Sequence, residues 1–217
     1  IGKMDASSIH QLIESSLYEG STAQKLEQYL QQQLSTKTYD FHANKSLLQY
    51  YQVNPAAIKL EVVSNLLILS LMRLPGNDFL SLVYMLPPKC IGNSRIAVVQ
   101  QCANYLETGR YTDFWEEYIS APENLFTTAN GFVDFIRRYI LGNLRDTYTA
   151  MPSSLFAQQL GLNESSVETF CNGNKFIEKV AGNNVIFAAN EESKAKAPVL
   201  EAAFHPEEGL KLVSLLT

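Results

Sequence analysis

The sequence predicts a mainly α chain: an array of helical hairpins, then a small α+β unit, then a last helix. Three observations carry this. Apolar residues recur at helical spacing through the first 150 residues, punctuated by Pro and Gly. Between residues 151 and 190 two short helical patterns precede two strand-like runs around a tight-turn sequence. After a polar stretch, an apolar cluster closes the chain at residues 210–216.

Ile9, Leu12, Ile13 and Leu17 mark a first helix, with Gly20 as its expected C-cap. Ser21 or Thr22 then caps a second helix carrying Leu26, Tyr29, Leu30 and Leu34. The stretch 39–79 organises the rest. Asp40 is a good N-cap for a helix over 41–52, whose Ala43, Leu47 and Tyr50 share one line with Leu48 and Tyr51 beside it. Pro55 cannot continue that helix and is expected to open the next, with Asn54 as cap, running to Leu74. Residues 66–72 of that second helix are apolar on nearly every side, which requires burial all round. At about 1.5 Å per residue the run is far too short to cross a bilayer.

Asp78 is expected to cap a short helix ending at Pro87-Pro88, and Ser94 to start one that Gly109 ends in the left-handed conformation. Thr112 is expected to cap the next, with Phe114 and Trp115 facing inward, and residues 131–147 form a further amphipathic helix. Neighbouring helices on short loops lie antiparallel, and stacked pairs make a HEAT/TPR-like solenoid, here without a strict repeat period. Beyond Ala150, Pro152-Ser153-Ser154 opens a helix closed by Gly161, and Asn163 caps another. Strand-like runs 175–180 and 185–189 flank Gly182-Asn183-Asn184, a hairpin turn. Helix, turn, helix, hairpin is the order of a winged helix. The expected divisions are a helical-repeat domain at 1–150, a winged helix at 151–190, and a linker with a C-terminal interaction helix at 191–217.

Composition narrows the function. Charged residues make up 18% and hydrophobic ones 46%, with net charge −5; the pI is near 5.3. This argues against a chain whose main business is gripping a phosphate backbone. The recognition-helix position, 163–171, holds two Glu and no Lys or Arg, so direct DNA reading is not expected. Arg137, Arg138 and Arg145 read as a solvated helix face. Cys90, Cys102 and Cys171 are too irregular for a disulfide framework or zinc site and are expected in the core. His10, His42 and His205 are scattered, without acidic or cysteine partners at ligand spacing. No catalytic motif is present, the first twenty residues lack the apolar segment of a signal peptide, and neither cofactor nor metal is expected.

What remains is docking. Leu210, Leu212, Val213, Leu215 and Leu216 make the last helix apolar on two faces, which suits packing on its own winged helix or in a bundle with other chains. Val185 and Phe187, in the hairpin's second strand, mark a strand edge that could accept a partner strand.

The run Tyr39-Asp40, Ala43-Asn44, Leu48, Tyr51-Gln52, Asn54-Pro55 resembles the signature of the eukaryotic translation initiation factor 3 subunit k family. Leu74-Pro75, Asp78-Phe79, Leu106-Glu107-Thr108, Phe114-Trp115, Gly131-Phe132 with Asp134 and Arg137, and Ile186-Phe187 before Glu191-Glu192-Ser193 continue the likeness in order. The resemblance implies PCI architecture, a helical-repeat domain followed by a winged helix. It implies a non-catalytic, cytoplasmic scaffold subunit, with nuclear presence also compatible, that acts with the 40S ribosomal subunit in translation initiation. Other subunits of that factor would be its partners, subunit l the nearest; it implies no membrane partner and leaves contact with RNA open. Sister subunits of the proteasome lid and the COP9 signalosome share the fold and form the alternative. A winged-helix nucleic-acid regulator is the third reading.

Overall fold

Helix α3 (Phe41–Val53) starts where the sequence places it: Asp40 Oδ1 accepts the Ala43 amide at 3.0 Å. In the computed structural model, which describes residues 4–122 and 125–190, its apolar line buries Ala43, Leu47, Leu48, Tyr50 and Tyr51. These face α2 (Gly20–Thr36), α4 (Leu60–Leu71) and α5 (Asp78–Tyr84). α4 is the hub: residues 62–71 are all buried, against α2, α3, α5 and α6 (Ser94–Glu107). Its polar side chains survive there because each has a partner. Ser64 and Ser70 donate to the Glu61 and Leu67 carbonyls, and Asn65 Oδ1 accepts from the Thr128 hydroxyl at 3.1 Å.

α1 (Ala6–Ser16) covers α2 and α3 at one end. At the other, α6 is followed by α7 (Tyr111–Ser120) and α8 (Phe132–Thr147). Phe114 and Trp115 are buried as expected. Trp115, Tyr118, Phe126 and Phe132 form a chain of ring contacts from α7 into α8 with centroids 4.9–6.2 Å apart.

Several boundaries differ from expectation. Gly20 is the first residue of α2, not a C-cap of α1, and Glu19 occupies the N-cap position in place of Ser21 or Thr22. Pro55 opens a 3₁₀ turn (Pro55–Ala57), not the long helix. Ile58 next takes an extended conformation and buries its side chain, so the helix can begin only at Leu60; it ends at Leu71, short of Leu74. Asp78 and Thr112 lie within the first turns of α5 and α7, whose N-caps are Asn77 and Arg110. Asn93 caps α6, its Oδ1 accepting from the Arg95 and Ile96 amides. Gly109 and Gly161 do adopt positive φ, +74° and +59°.

The final part holds β1 (Ala150–Pro152), α9 (Ser153–Leu160), α10 (Val167–Cys171), β2 (Ile177–Ala181) and β3 (Asn184–Phe187). A 3₁₀ turn, Glu164–Ser166, leads into α10 with Asn163 before it. Ala181 pairs with Asn184, leaving a two-residue turn at Gly182-Asn183. The sheet is antiparallel with order β1-β3-β2, Met151 opposite Val185. β1 was not expected: three residues ending in Pro152 have too little alternation to read as a strand. One hydrophobic core runs from Ile9 in α1 to Phe187 in β3 without interruption.

Candidate protein-interaction surfaces

Arg137 joins the helical part to the sheet-bearing part. From α8 its Nε and a terminal guanidinium nitrogen donate to the Leu160 and Gly161 carbonyls at 3.1 and 3.0 Å, satisfying the open C-terminal end of α9. The guanidinium also lies over the Trp115 ring, 5.5 Å from its centroid, and Trp115 Nε1 donates to the Gln159 carbonyl at 2.9 Å. Gly161 is required here twice over. Its φ is +59°, and a Cβ would meet Trp115 Cδ2 at 2.6 Å. Arg137 therefore serves as an internal clamp, not a solvated face; the sequence carried no sign of this because its partners lie more than twenty positions away.

Val185 and Phe187 do not lie on a strand edge. With β1 on its other side, β3 is the central strand, so the hairpin's second strand is not an edge. Both side chains are buried, 0% and 4% exposed, and Phe187 packs its ring 6.1 Å from that of Phe156. The long free edge belongs to β2, which has no further strand beside it among the described residues. It carries exposed Glu178 and Lys179 and a register irregularity between Ile177 and Lys179. Charge and bulge both restrain indiscriminate strand addition. A hollow of about 560 Å³ runs between β2 and the 168–175 segment, with Glu168, Asn172, Ile177 and Val180 in its wall. Leu210, Leu212, Val213, Leu215 and Leu216 lie outside the described residues.

Two further hollows flank α8. One, of about 630 Å³, lies between α8 and the segment 170–176; the other, of about 370 Å³, lies between α8 and the end of α4. Asp134 and Arg138 line both, so the hollows adjoin across the helix.

The titratable groups serve the fold. His10 does have an acidic partner: its Nε2 lies 2.8 Å from Asp40 Oδ2, and its ring meets His42 edge-on at 5.1 Å, tying α1 to the start of α3. Tyr51 donates to Glu27 Oε1 at 2.8 Å, and burial raises its phenol above the ordinary range. Cys90, Cys102 and Cys171 are buried as expected. Burial pushes all three thiols up, Cys102 to about 12, which keeps them protonated and poor nucleophiles. Among the described residues no group of three His, Cys, Asp or Glu could hold a metal ion. No described helix is long and apolar enough to cross a membrane.

Fold and surface together define a class: a mainly helical chain whose described part ends in a small sheet-bearing unit, with open hollows beside α8 and a free edge on β2. The chain belongs to the CSN8/PSMD8/EIF3K family, whose model matches residues 57–199. It is similar to eukaryotic translation initiation factor 3 subunit K of Drosophila persimilis, 29% identical over 180 residues that cover 82% of this chain and 80% of the relative. The same protein of Sclerotinia sclerotiorum is 30% identical over 206 residues, covering 84% of this chain and 82% of the relative. That of Dictyostelium discoideum is 33% identical over 147 residues, covering 68% and 59%. The resemblance read from the ordered marks between Tyr39 and Ser193 therefore holds.

Proposed function

We propose that this chain is a non-catalytic scaffold subunit of eukaryotic translation initiation factor 3, supporting assembly of the 43S preinitiation complex on the 40S ribosomal subunit through protein–protein contacts. One observation carries the reading: relatives named as subunit K of that factor match over about four-fifths of both chains. The architecture supports it. Helices that pack on their sequence neighbours fit a HEAT/TPR-like array over 1–150. The order β1, α9, α10, β2, β3 fits a winged helix over 151–190, together the PCI arrangement. Residues 191–217 complete the division as a linker and interaction segment. Partners are the other subunits of the factor, subunit l nearest, in the cytoplasm and with nuclear presence compatible.

Two features suit such docking: the edge of β2 that is free among the described residues, and the apolar sequence cluster Leu210, Leu212, Val213, Leu215 and Leu216. Replacing Val213 and Leu216 together by Asp should release the subunit from its complex while the isolated chain stays folded. Loss of folding instead would assign those residues to the chain's own core. Affinity purification from cells tests the whole reading. Recovery of initiation factor 3 subunits with the 40S particle is expected. Recovery of proteasome-lid or COP9 signalosome subunits would transfer the chain to a sister machine, which the shared family allows. Binding to duplex DNA at low salt would instead favour a nucleic-acid regulator; α10 and the turn before it carry Glu164 and Glu168 and no cation.

A further inference from the structure

We propose that the groove crossing α8 is a docking site for an acidic segment of a partner protein, one that alternates carboxylates with apolar side chains. The groove is separate from the β2 edge and stands on its own geometry. Four exposed cations from four parts of the chain line its two hollows: Lys37, Arg73, Arg138 and Lys175. None has a carboxylate within ion-pair distance among the described residues. On a chain of net charge −5 this concentration is local and opposite in sign to the whole. Charge complementarity thus selects an anionic occupant.

The same geometry selects a peptide over a nucleic acid. Base stacking needs open aromatic faces. Here the Phe176 ring is covered by Arg145 and Lys175, with charges 4.8 and 5.3 Å from its centroid, and the Tyr39 ring by Arg73 at 5.4 Å. Asp134 sits at the junction of the hollows, where a continuous phosphate chain would meet a like charge. A peptide can place a neutral residue or an amide there. Leu141, Phe170 and Phe176 give the larger hollow an apolar wall between its cations, matching an apolar side chain flanked by carboxylates.

The test uses the full chain and a fluorescently labelled synthetic peptide alternating Glu with Phe and Leu, followed by anisotropy. Saturable binding that weakens with salt is expected, and about tenfold weaker binding when Gln replaces Glu in the peptide. Arg138→Glu with Lys175→Glu should weaken binding by about tenfold or more, while Asp134→Asn should tighten it. The gain at Asp134 is a change that misfolding does not produce. Should the double charge reversal fail to fold, Arg138→Gln with Lys175→Gln replaces it, again with weaker binding expected. Absence of binding, binding indifferent to these substitutions, or tighter binding of an oligouridylate through the same residues would each overturn the proposal.

Discussion

α4 and α8 are both core helices, and they spend their sequence differently. α4 buries ten consecutive residues, so every side chain from 62 to 71 answers to packing. α8 buries Phe132, Ile136, Ile140, Leu141 and Leu144, roughly every third or fourth position, and presents Asp134 and Arg138 to the grooves beside it. The difference teaches where each kind of information lies. Substitutions in α4 test how the chain stays folded, whereas those on the outer face of α8 test what it holds.

The largest expected effect comes from Leu67→Ala in α4, which empties a fully buried site. A loss of about 3 kcal/mol is expected in urea unfolding. A loss below about 1 kcal/mol would mean that α4 is not the hub. Next comes Gly161→Ala, at the joint between α8 and α9. The positive φ and the Trp115 ring together should cost about 2 kcal/mol. Trp115 fluorescence should shift as the ring is displaced; an unchanged spectrum and melting curve would dissolve the clamp. Asp40→Ala removes the cap of α3 and the partner of His10, for about 1 kcal/mol. Asp40→Asn should recover most of that loss if capping dominates, and little if the His10 contact does. At the small end, Arg138→Gln should leave stability within about 0.5 kcal/mol, since the side chain is exposed and unpaired among the described residues. A larger fall would place Arg138 with the core residues of its helix and erase the contrast with α4.

Much of the helical framework was legible because its signals are local. Asp40 before a periodic run, the all-apolar 66–72, and Gly109 and Gly161 after helices each act within one turn of chain. The misplaced starts share a cause. Capping groups are plentiful near Gly20, Asp78 and Thr112, and tertiary packing chooses among them. The sheet was half legible. Its hairpin follows from Gly182-Asn183, but β1 is too short to show a period, and without it β3 looks like an edge. That single omission misplaced Val185 and Phe187. The groove was invisible for a different reason: Lys37, Arg73, Arg138 and Lys175 converge only through the packing of α2, α4, α8 and the segment after α10. Nothing in the sequence distinguishes Arg137, the clamp, from the exposed Arg138 one position on.

The guanidinium that closes the end of α9 has a mechanical corollary. Pulling on the sheet loads α9, whose last carbonyls are gripped from α8 and whose backbone is held by the indole on α7. Tension applied at one extremity is therefore passed across the joint into the helical body, so that a neighbour tugging at the strands moves the folded chain as a strut and not as a pendant on a string.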